Sequence, residues 1–243
     1  MTKTKIAIAT WNMAYWSHKK HGAEAWTYAT EELSSDILLT QESHPDYNII
    51  NRKDIEFHTV GGTRPWGSSV YSSKFEIKPI PIKSSFLGAI TPAEVKIRED
   101  YSLICISLYG LFETIGTISY AIPNLHRILS DLTELLESAK TKYRIILGGD
   151  LNASLQVDEQ YNIKSHKVIF DRLEAFGLHN CFDGFYDDFV QTHRHSRSKL
   201  PWQNDYLFVS NRLKSQITNC EVVVNDPVLK FSDHNPVRIE LEV

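Results

Sequence analysis

The stretch from residue 144 to residue 152, Arg-Ile-Ile-Leu-Gly-Gly-Asp-Leu-Asn, constrains the fold of this chain more than any other. The apolar run 143–147 is typical of a strand that is covered on both faces. The two glycines after it allow a sharp turn or a close approach to another group. Asp150 and Asn152 lie two residues apart, so an extended backbone points both side chains the same way. The pair is compatible with a metal ion or an activated water, and also with an Asx-type turn after a strand.

Apolar periodicity predicts strands and helices on both sides of this stretch. The predicted strands cover residues 5–11, 36–40, 68–73, 75–82, 93–97, 102–108, 189–192, 206–210, 216–224 and 236–243. The predicted helices cover residues 23–33, 124–139 and 165–176, the last two with N-caps at Asn124 and Ser165. Helices separate only some of the strands, so an α/β chain with mixed sheets is expected.

Two local predictions concern the segment between the second and fifth of these strands. Residues 44–62 are polar and are expected to be irregular. Strands 68–73 and 75–82 are expected to pair with each other, and Pro79 and Pro81 indicate a sheet edge.

Length and composition favour one domain that spans residues 1–243. A hydrophobic content of 42% and a charged content of 23% are ordinary for a globular protein. The formal net charge of -4 gives no general attraction for polyanions, so affinity for phosphate or nucleic acid must come from local patches.

The sequence also favours a cytoplasmic location. Its three cysteines lack metal-ligand spacing and fit a reducing compartment. The N-terminus lacks a signal-peptide pattern, and no apolar run approaches the ~18 residues that cross a bilayer. No membrane partner is therefore expected, and no protein partner is inferred.

Polar side chains are placed at corresponding ends of the predicted strands. Asn12, Glu42, Tyr109 and the Asp150–Asn152 pair follow strands, whereas Asp205 and Asp233-His234 precede strands. If the two sets of strands run antiparallel, all of these side chains meet at one edge of the sheets. Hard oxygen ligands of this kind suit Mg²⁺ or Mn²⁺ rather than zinc.

Five short motifs carry a specific resemblance. They are Thr10-Trp11-Asn12, Gln41-Glu42, Gly149-Asp150-Leu151-Asn152, Asp205-Tyr206 and Ser232-Asp233-His234-Asn235-Pro236-Val237. In this order the chain resembles the endonuclease/exonuclease/phosphatase superfamily, which has the DNase-I-like fold. The resemblance implies a four-layer α/β sandwich, with two mixed β-sheets packed face to face and helices outside, and metal-dependent cleavage of a phosphoester.

The resemblance also implies roles for individual residues. Glu42 would be the main ligand of Mg²⁺ or Mn²⁺, with Asn12 and Asp233 completing the metal site. Asp150 would position or deprotonate the attacking water, with help from Asn152. His234 would hydrogen-bond the phosphoryl oxygen as charge builds there, and Asp205 would orient its ring.

Tyr109 has two interpretations. The family places a histidine or a tyrosine at this position, and the tyrosine is similar to the exonuclease III and abasic-site nuclease branch. A phenol can donate a hydrogen bond to a phosphate oxygen. A packing role for the ring is the alternative.

Loops beside the predicted site mix basic and aromatic residues, as expected where phosphates are neutralised and bases or sugars are stacked. The candidate substrate-binding residues are Trp16, Arg64, Arg194, Arg197, Lys199 and Trp202. They favour a nuclease that acts on DNA or RNA. A phosphatase of inositol phosphates or another small phosphoester is the alternative, and a catalytically inactive module that binds phosphate or nucleic acid is the second.

Overall fold

The computed structural model describes residues 4–50, 54–116 and 118–243. The strands are β1 (Lys5–Asn12), β2 (Ile37–Ser43), β3 (Ile55–Gly61), β4 (Arg64–Ser72), β5 (Glu76–Pro79), β6 (Ile90–Arg98), β7 (Tyr101–Leu108), β8 (Thr114–Ile115), β9 (Ile118–Ser119), β10 (Ile145–Asp150), β11 (Leu178–Asn180), β12 (Asp205–Ser210), β13 (Ile217–Val222) and β14 (Val237–Glu242). The helices are α1 (Tyr15–His18), α2 (Gly22–Glu31), α3 (Tyr47–Ile50), α4 (Ala121–Asp131), α5 (Thr133–Glu137), α6 (Leu155–Tyr161), α7 (Lys167–Ala175), α8 (Asn211–Lys214) and α9 (Asp226–Phe231).

The strands form two mixed six-stranded sheets, and β8 pairs only with β9. The first sheet has the order β13-β14-β1-β2-β4-β3 and the second has the order β11-β12-β10-β7-β6-β5. Each sheet has one parallel pair at its centre, β1 with β2 and β7 with β10. An antiparallel strand flanks each pair, β14 beside β1 and β12 beside β10. The expected fold class is confirmed.

Apolar side chains of the two sheets pack against each other in one large core, to which α4, α5 and α7 contribute from the outer side of the second sheet. A smaller core lies on the outer side of the first sheet, where α2 and α9 cover β1 and β2. Trp11 of β1 and Trp26 of α2 are fully buried in this smaller core. These helices complete the expected four layers. Across the described ranges, no helix is long and apolar enough to cross a membrane.

A polar layer replaces apolar packing between the sheets near one end. The Gln41 amide donates to Ser107 Oγ at 2.9 Å and to Thr10 Oγ1 at 3.1 Å, and all three side chains are fully buried. The Ser107 hydroxyl in turn donates to the Thr40 carbonyl oxygen at 2.7 Å. Because each buried polar group has a partner, the layer is stable and joins the strand ends of both sheets beneath the polar edge.

The glycines of the opening stretch lie inside β10, which continues to Asp150. They therefore form no turn, and the alternative of a close approach is the correct one. A Cβ atom on Gly149 would lie 1.7 Å from the carbonyl oxygen of Leu108. A Cβ atom on Gly148 would lie 2.5 Å from the Leu207 side chain. The end of β7 and the end of β10 can approach this closely only without a side chain at residue 149.

Several local predictions were wrong, because tertiary pairing overrode the local pattern. β4 pairs with β2 and β3 in the first sheet, whereas β5 pairs with β6 in the second, so residues 68–73 and 75–82 form no hairpin. The segment 44–62 contains α3 and β3, although its residues 51–53 lie outside the described ranges, as do residues 1–3. Residues 189–192, all described, form no strand. There the Val190 amide donates instead to the Gln203 side chain at 3.0 Å.

The predicted helix caps were also wrong. α4 begins at Ala121, so Asn124 lies inside the helix and donates to the Leu111 carbonyl oxygen at 2.9 Å. α7 begins at Lys167 after His166 rather than after Ser165. The first residue of each helix is set by the contacts of the preceding loop. The preference of Asn or Ser for the N-cap position does not predict it.

The packing around Gly149 gives a stability prediction. Gly149→Ala should lower the free energy of unfolding by about 3 kcal/mol or more, because the new methyl group meets a backbone carbonyl that cannot move aside. Urea unfolding followed by circular dichroism measures this change. Gly22→Ala is the control, because its Cβ would lie at an ordinary 3.5 Å from Tyr15 and should change stability by no more than about 0.5 kcal/mol. Equal effects of the two substitutions would contradict the close approach.

Candidate active site

The strand directions bring the predicted polar residues to one edge. The carboxyl ends of the parallel strands β1, β2, β7 and β10 meet the amino ends of β12 and β14 there, and Asp150 pairs directly with Asp205. A cleft of about 550 Å³ opens at this edge. Its lining residues are Ala14, Trp16, Ser17, Glu42, Arg64, Trp66, Tyr109, Phe112, Asp150, Asn152, His193, His195, Asp233 and His234.

Glu42 lies at an irregularity of β2, where the register with β4 shifts between Thr40 and Ser43. Its φ of 42° is in the left-handed region, which is costly for a non-glycine residue and is found at functional sites. Burial raises the pKa of the Glu42 carboxyl, while hydrogen bonds from Tyr109 and Asn12 partly offset the effect. The site therefore holds an acid whose charge is poorly solvated, which a cation would stabilise.

The Asn12 amide group lies between two carboxylates. Its Nδ2 donates to Asp150 Oδ2 at 2.9 Å and to Glu42 Oε1 at 3.3 Å. Its Oδ1 accepts from the Ala14 amide at 2.8 Å. In the structure the Asn12 side-chain oxygen accepts from the backbone and its nitrogen faces the acids, and its role as a metal ligand stays a prediction.

Asp150 is buried and receives three hydrogen bonds. Its Oδ1 accepts from the Asn152 amide at 2.8 Å, and its Oδ2 accepts from the side chains of Asn12 and Asn152. Asn152 has a φ of 47°, which lets its backbone turn back towards the carboxylate. Burial, together with the charges of Asp205 and Glu42, raises the pKa of Asp150 to about 7, although His234 acts in the opposite direction. A carboxylate with this pKa can accept a proton near neutral pH.

His234 lies beside Asp150 in the cleft. Its Nδ1 lies 2.9 Å from Asp205 Oδ2, and its Nε2 lies 4.0 Å from Asp150 Oδ2. Burial alone would lower the pKa of His234, but the carboxylates of Asp205 and Asp150 outweigh it and raise the pKa to about 10. The ring is therefore an imidazolium, and its Nε2–H points into the cleft.

Hydrogen bonds from distant parts of the chain hold the loop that carries His234. The Ser232 hydroxyl donates to the Asn12 carbonyl oxygen at 2.7 Å, and Ser232 Oγ accepts from the His234 amide at 2.9 Å. The Trp11 indole donates to the His234 carbonyl oxygen at 3.1 Å. The end of β1 therefore positions the imidazolium directly.

Tyr109 lies at the floor of the cleft and is buried. Burial and the charges of Glu42 and Asp150 raise the pKa of its hydroxyl well above the ordinary value, so the hydroxyl remains protonated. The hydroxyl interacts with Glu42, and the ring packs edge-on against Trp66 at a centroid distance of 5.7 Å. The ring therefore has a packing role, and the hydrogen bond from its hydroxyl to a phosphate stays a prediction.

The structure brings only some of the predicted substrate-binding residues to this cleft. Trp16 and Arg64 line it, whereas Trp202 lines an adjoining cleft. Arg197 and Lys199 are exposed but line neither. Arg194 turns inward and donates to Asn235 Oδ1 and to the Ser232 carbonyl oxygen, so it supports the loop of His234 instead of facing the cleft.

Sequence reasoning did not identify His193 as a site residue. Its ring stacks on His234 at a centroid distance of 4.4 Å and an angle of 15°, and its Nδ1 lies 3.2 Å from the Asn204 amide nitrogen. Burial and the charge of His234 lower the pKa of His193 to about 4, so a neutral ring covers the imidazolium. No sequence pattern identifies this contact, because it joins two loops that are distant along the chain.

The chemistry of the cleft fits a divalent cation. Two sets of side chains have ligand atoms within 4.8 Å of one another, His193–Asp233–His234 and Asp150–Asp205–His234, but both include His234, whose protonated ring cannot be a ligand, so the carboxylates are the available ligands. Neither set includes Glu42, but this poorly solvated acid lines the same cleft as Asp233. One buried oxygen, Asp205 Oδ1, has no hydrogen-bond partner.

Comparison with known proteins defines the class. The model of the Endonuclease/Exonuclease/phosphatase family matches residues 9–234, and the chain belongs to this family. Its coarse class is therefore that of the phosphoester hydrolases. No curated protein sequence matches the chain significantly.

Solved structures share the fold at low sequence identity. The AP endonuclease LMAP from Leishmania major has 17% identity and a TM-score of 0.73, with 98% of this chain and 88% of that chain covered. An AP endonuclease from Archaeoglobus fulgidus has 17% identity and a TM-score of 0.72, with 98% and 100% covered. The endonuclease domain of TRAS1, a telomere-specific non-LTR retrotransposon, has 15% identity and a TM-score of 0.67, with 98% and 99% covered.

The Asp205–His234 pair gives a pH prediction. Without divalent cations, the His234 ring should titrate near pH 10, and Asp205→Asn should lower its pKa towards the ordinary value of about 6.5. The folded state favours the imidazolium, so the stability that this pair contributes is complete below about pH 6.5 and is lost as the pH rises through about 10. NMR titration of the imidazole C–H signals measures the shift, with the remote His179 as an internal control. An unchanged His234 titration would show that Asp205 does not raise this pKa.

Proposed function

We propose that this chain is a nuclease that hydrolyses phosphodiester bonds of DNA or RNA with Mg²⁺ or Mn²⁺. The observation that carries the proposal is the opposition of Asp150 and His234. A proton acceptor and an imidazolium face each other 4.0 Å apart in the same cleft as the Glu42 carboxylate. This arrangement suits attack by water on one side of a phosphorus atom and stabilisation of the charge that develops on its oxygens.

Asp150 is proposed as the group that positions the attacking water and accepts its proton. Asn12 and Asn152 hold its carboxylate through hydrogen bonds of 2.9 to 3.2 Å to one oxygen. That support keeps the carboxylate in a single orientation, which fixes the direction of attack. Asn152 also donates to the Gly110 carbonyl oxygen at 3.0 Å, so its own side chain is held in place.

His234 is proposed as the donor to a non-bridging phosphoryl oxygen. Asp205 orients the ring through Nδ1 and leaves Nε2–H free for the substrate. The neutral ring of His193 shields the other face of the imidazolium from water. Tyr109, whose hydroxyl stays protonated beside Glu42, is proposed to donate a second hydrogen bond to the phosphate.

Glu42 and Asp233 are proposed to hold the cation, with the amide of Asn12 adjacent. The cation supplies charge neutralisation at the phosphate and at the leaving oxygen when it is bound. An acid that is desolvated and held in a strained backbone conformation is a suitable ligand, because the ion offsets its poor solvation.

Nucleic acid is the proposed substrate class because of the residues around the cleft. Trp16 can stack on a base, and Arg64, whose guanidinium lies 5.7 Å from the Trp66 ring, can contact a phosphate. The similar structures from Leishmania major and Archaeoglobus fulgidus are AP endonucleases, which agrees with this choice. A cytoplasmic location and a single domain over residues 1–243 remain part of the proposal.

An activity panel tests the proposed function. With Mg²⁺ or Mn²⁺, the protein should cleave plasmid, single-stranded DNA, RNA or an abasic-site duplex and should leave inositol phosphates intact. Asp150→Asn should lower the rate of cleavage by about a thousandfold, because the water loses its proton acceptor and the side chain keeps only one oxygen for the donors of Asn12 and Asn152. Lys214→Ala, on the exposed helix α8, is a control that should retain the rate.

Two outcomes would overturn the choice of substrate. Phosphate release from inositol phosphates with intact nucleic acids would identify a phosphatase. The absence of turnover with every substrate and metal, while the protein still binds nucleic acid, would identify an inactive binding module.

The proposed metal site gives a separate prediction. Glu42→Gln should raise the Mg²⁺ concentration needed for half-maximal activity at least about tenfold, because the ion loses its main charged ligand. Titration of activity against Mg²⁺, after removal of bound metal with EDTA, measures this change. Glu56→Gln on β3 is a charge-matched control that should show the wild-type midpoint. A wild-type midpoint for Glu42→Gln would remove Glu42 from the metal site.

A further inference from the structure

A second cleft continues from the active site. It has a volume of about 720 Å³ and shares Phe112, Asn152, His193 and His195 with the first cleft. Trp202, Ile122, Pro123 and Val157 add apolar surface to its wall. The two clefts together form one trough, and Asp150 and His234 lie in its first part.

Aromatic side chains are distributed along the trough. Trp16 stands at one end with 77% of its surface exposed, and Phe112 is 51% exposed where the two clefts join. Trp202 is half-buried in the wall of the second cleft. These three rings line one continuous trough, and flat rings suit the flat faces of nucleobases.

Permanent positive charge is scarce in the trough. Among the described residues that line the two clefts, Arg64 is the only lysine or arginine, and it lies 3.8 Å from Glu113. The chain as a whole carries a net charge of -4. A protein that holds a duplex mainly neutralises phosphates with lysine and arginine, so this trough is not built for that mode of binding.

We propose that the trough binds an unpaired strand of nucleic acid, with bases stacked on Trp16, Phe112 and Trp202 and the scissile phosphate beside Asp150 and His234. The inference rests on the proposed nuclease function and adds the strandedness of the substrate. Bases in a duplex already stack on one another and cannot cover these rings, whereas the bases of an unpaired strand can. The polar side chains of Ser165, His166 and Asn204 in the second cleft offer hydrogen bonds to an exposed base edge.

Binding to the inactive Asp150→Asn protein tests the inference without cleavage. Fluorescence anisotropy with a labelled single-stranded oligonucleotide and with a blunt hairpin duplex of equal length, in Mg²⁺, gives the two affinities. The single strand should bind at least about tenfold more tightly than the duplex. Adding Trp16→Ala or Phe112→Ala should weaken single-strand binding about fivefold or more and leave duplex binding unchanged.

Controls separate stacking from loss of structure. Phe185 is also an exposed aromatic residue but lines neither cleft, so Phe185→Ala should bind as the parent does. Trp202→Ala should also weaken binding, and Trp202→Tyr should restore most of the affinity, which a misfolded variant could not do. The slope of log affinity against log salt should be shallower than about -2, since each neutralised phosphate on a single strand contributes about -0.7.

The contrary outcomes are distinct. Tighter binding of the duplex, or a steep salt slope with no effect of Trp16→Ala and Phe112→Ala, would overturn the inference, and cleavage of duplex by the wild-type protein would still support the nuclease function. Binding of neither nucleic acid, together with no cleavage, would overturn both.

Discussion

The active site depends on two poorly solvated acids of like charge held around one amide. Glu42 and Asp150 both accept hydrogen bonds from Asn12 Nδ2, at 3.3 and 2.9 Å. Like charges in a poorly solvated cleft repel each other, and burial raises the pKa of both groups. The fold offsets this cost with the imidazolium of His234 and the donors around each acid. Because these charges are only partly offset, the site is well suited to a cation, which agrees with the chemistry proposed from Asp150 and His234.

The arrangement of the two sheets places those groups at one edge. Each sheet contributes one parallel pair with an antiparallel neighbour, so that strand ends and strand beginnings meet at one edge. A layer of buried hydroxyl and amide groups, Gln41 and Ser107 among them, connects the two sheets directly below. The edge therefore rests on polar contacts with fixed directions, which hold the acids and the imidazolium more rigidly than apolar packing would.

The sequence predicted the parts of the structure that local pattern and motif order determine. Asn12, Glu42, Asp150, Asp205 and His234 were placed at one edge from their positions relative to strands, and the structure brings them together there. Pairing across the chain was not predictable in the same way. The partners of β4 and β5 lie in different sheets, and nothing in residues 64–79 distinguishes that arrangement from a hairpin. His193 and the inward turn of Arg194 likewise depend on contacts between loops.

The bond between Ser232 and Asn12 has a consequence for the order of folding. It spans 220 residues of sequence, and β14, which follows Ser232, pairs directly with β1. Contacts of such high sequence separation tend to form late in folding. The entropy cost of closing so long a loop must be met before the contact contributes stability. A nascent chain that has not yet produced residues 232–242 lacks both β14 and the imidazolium of His234. The chemistry proposed for the cleft therefore requires that the contact between Ser232 and Asn12 has formed.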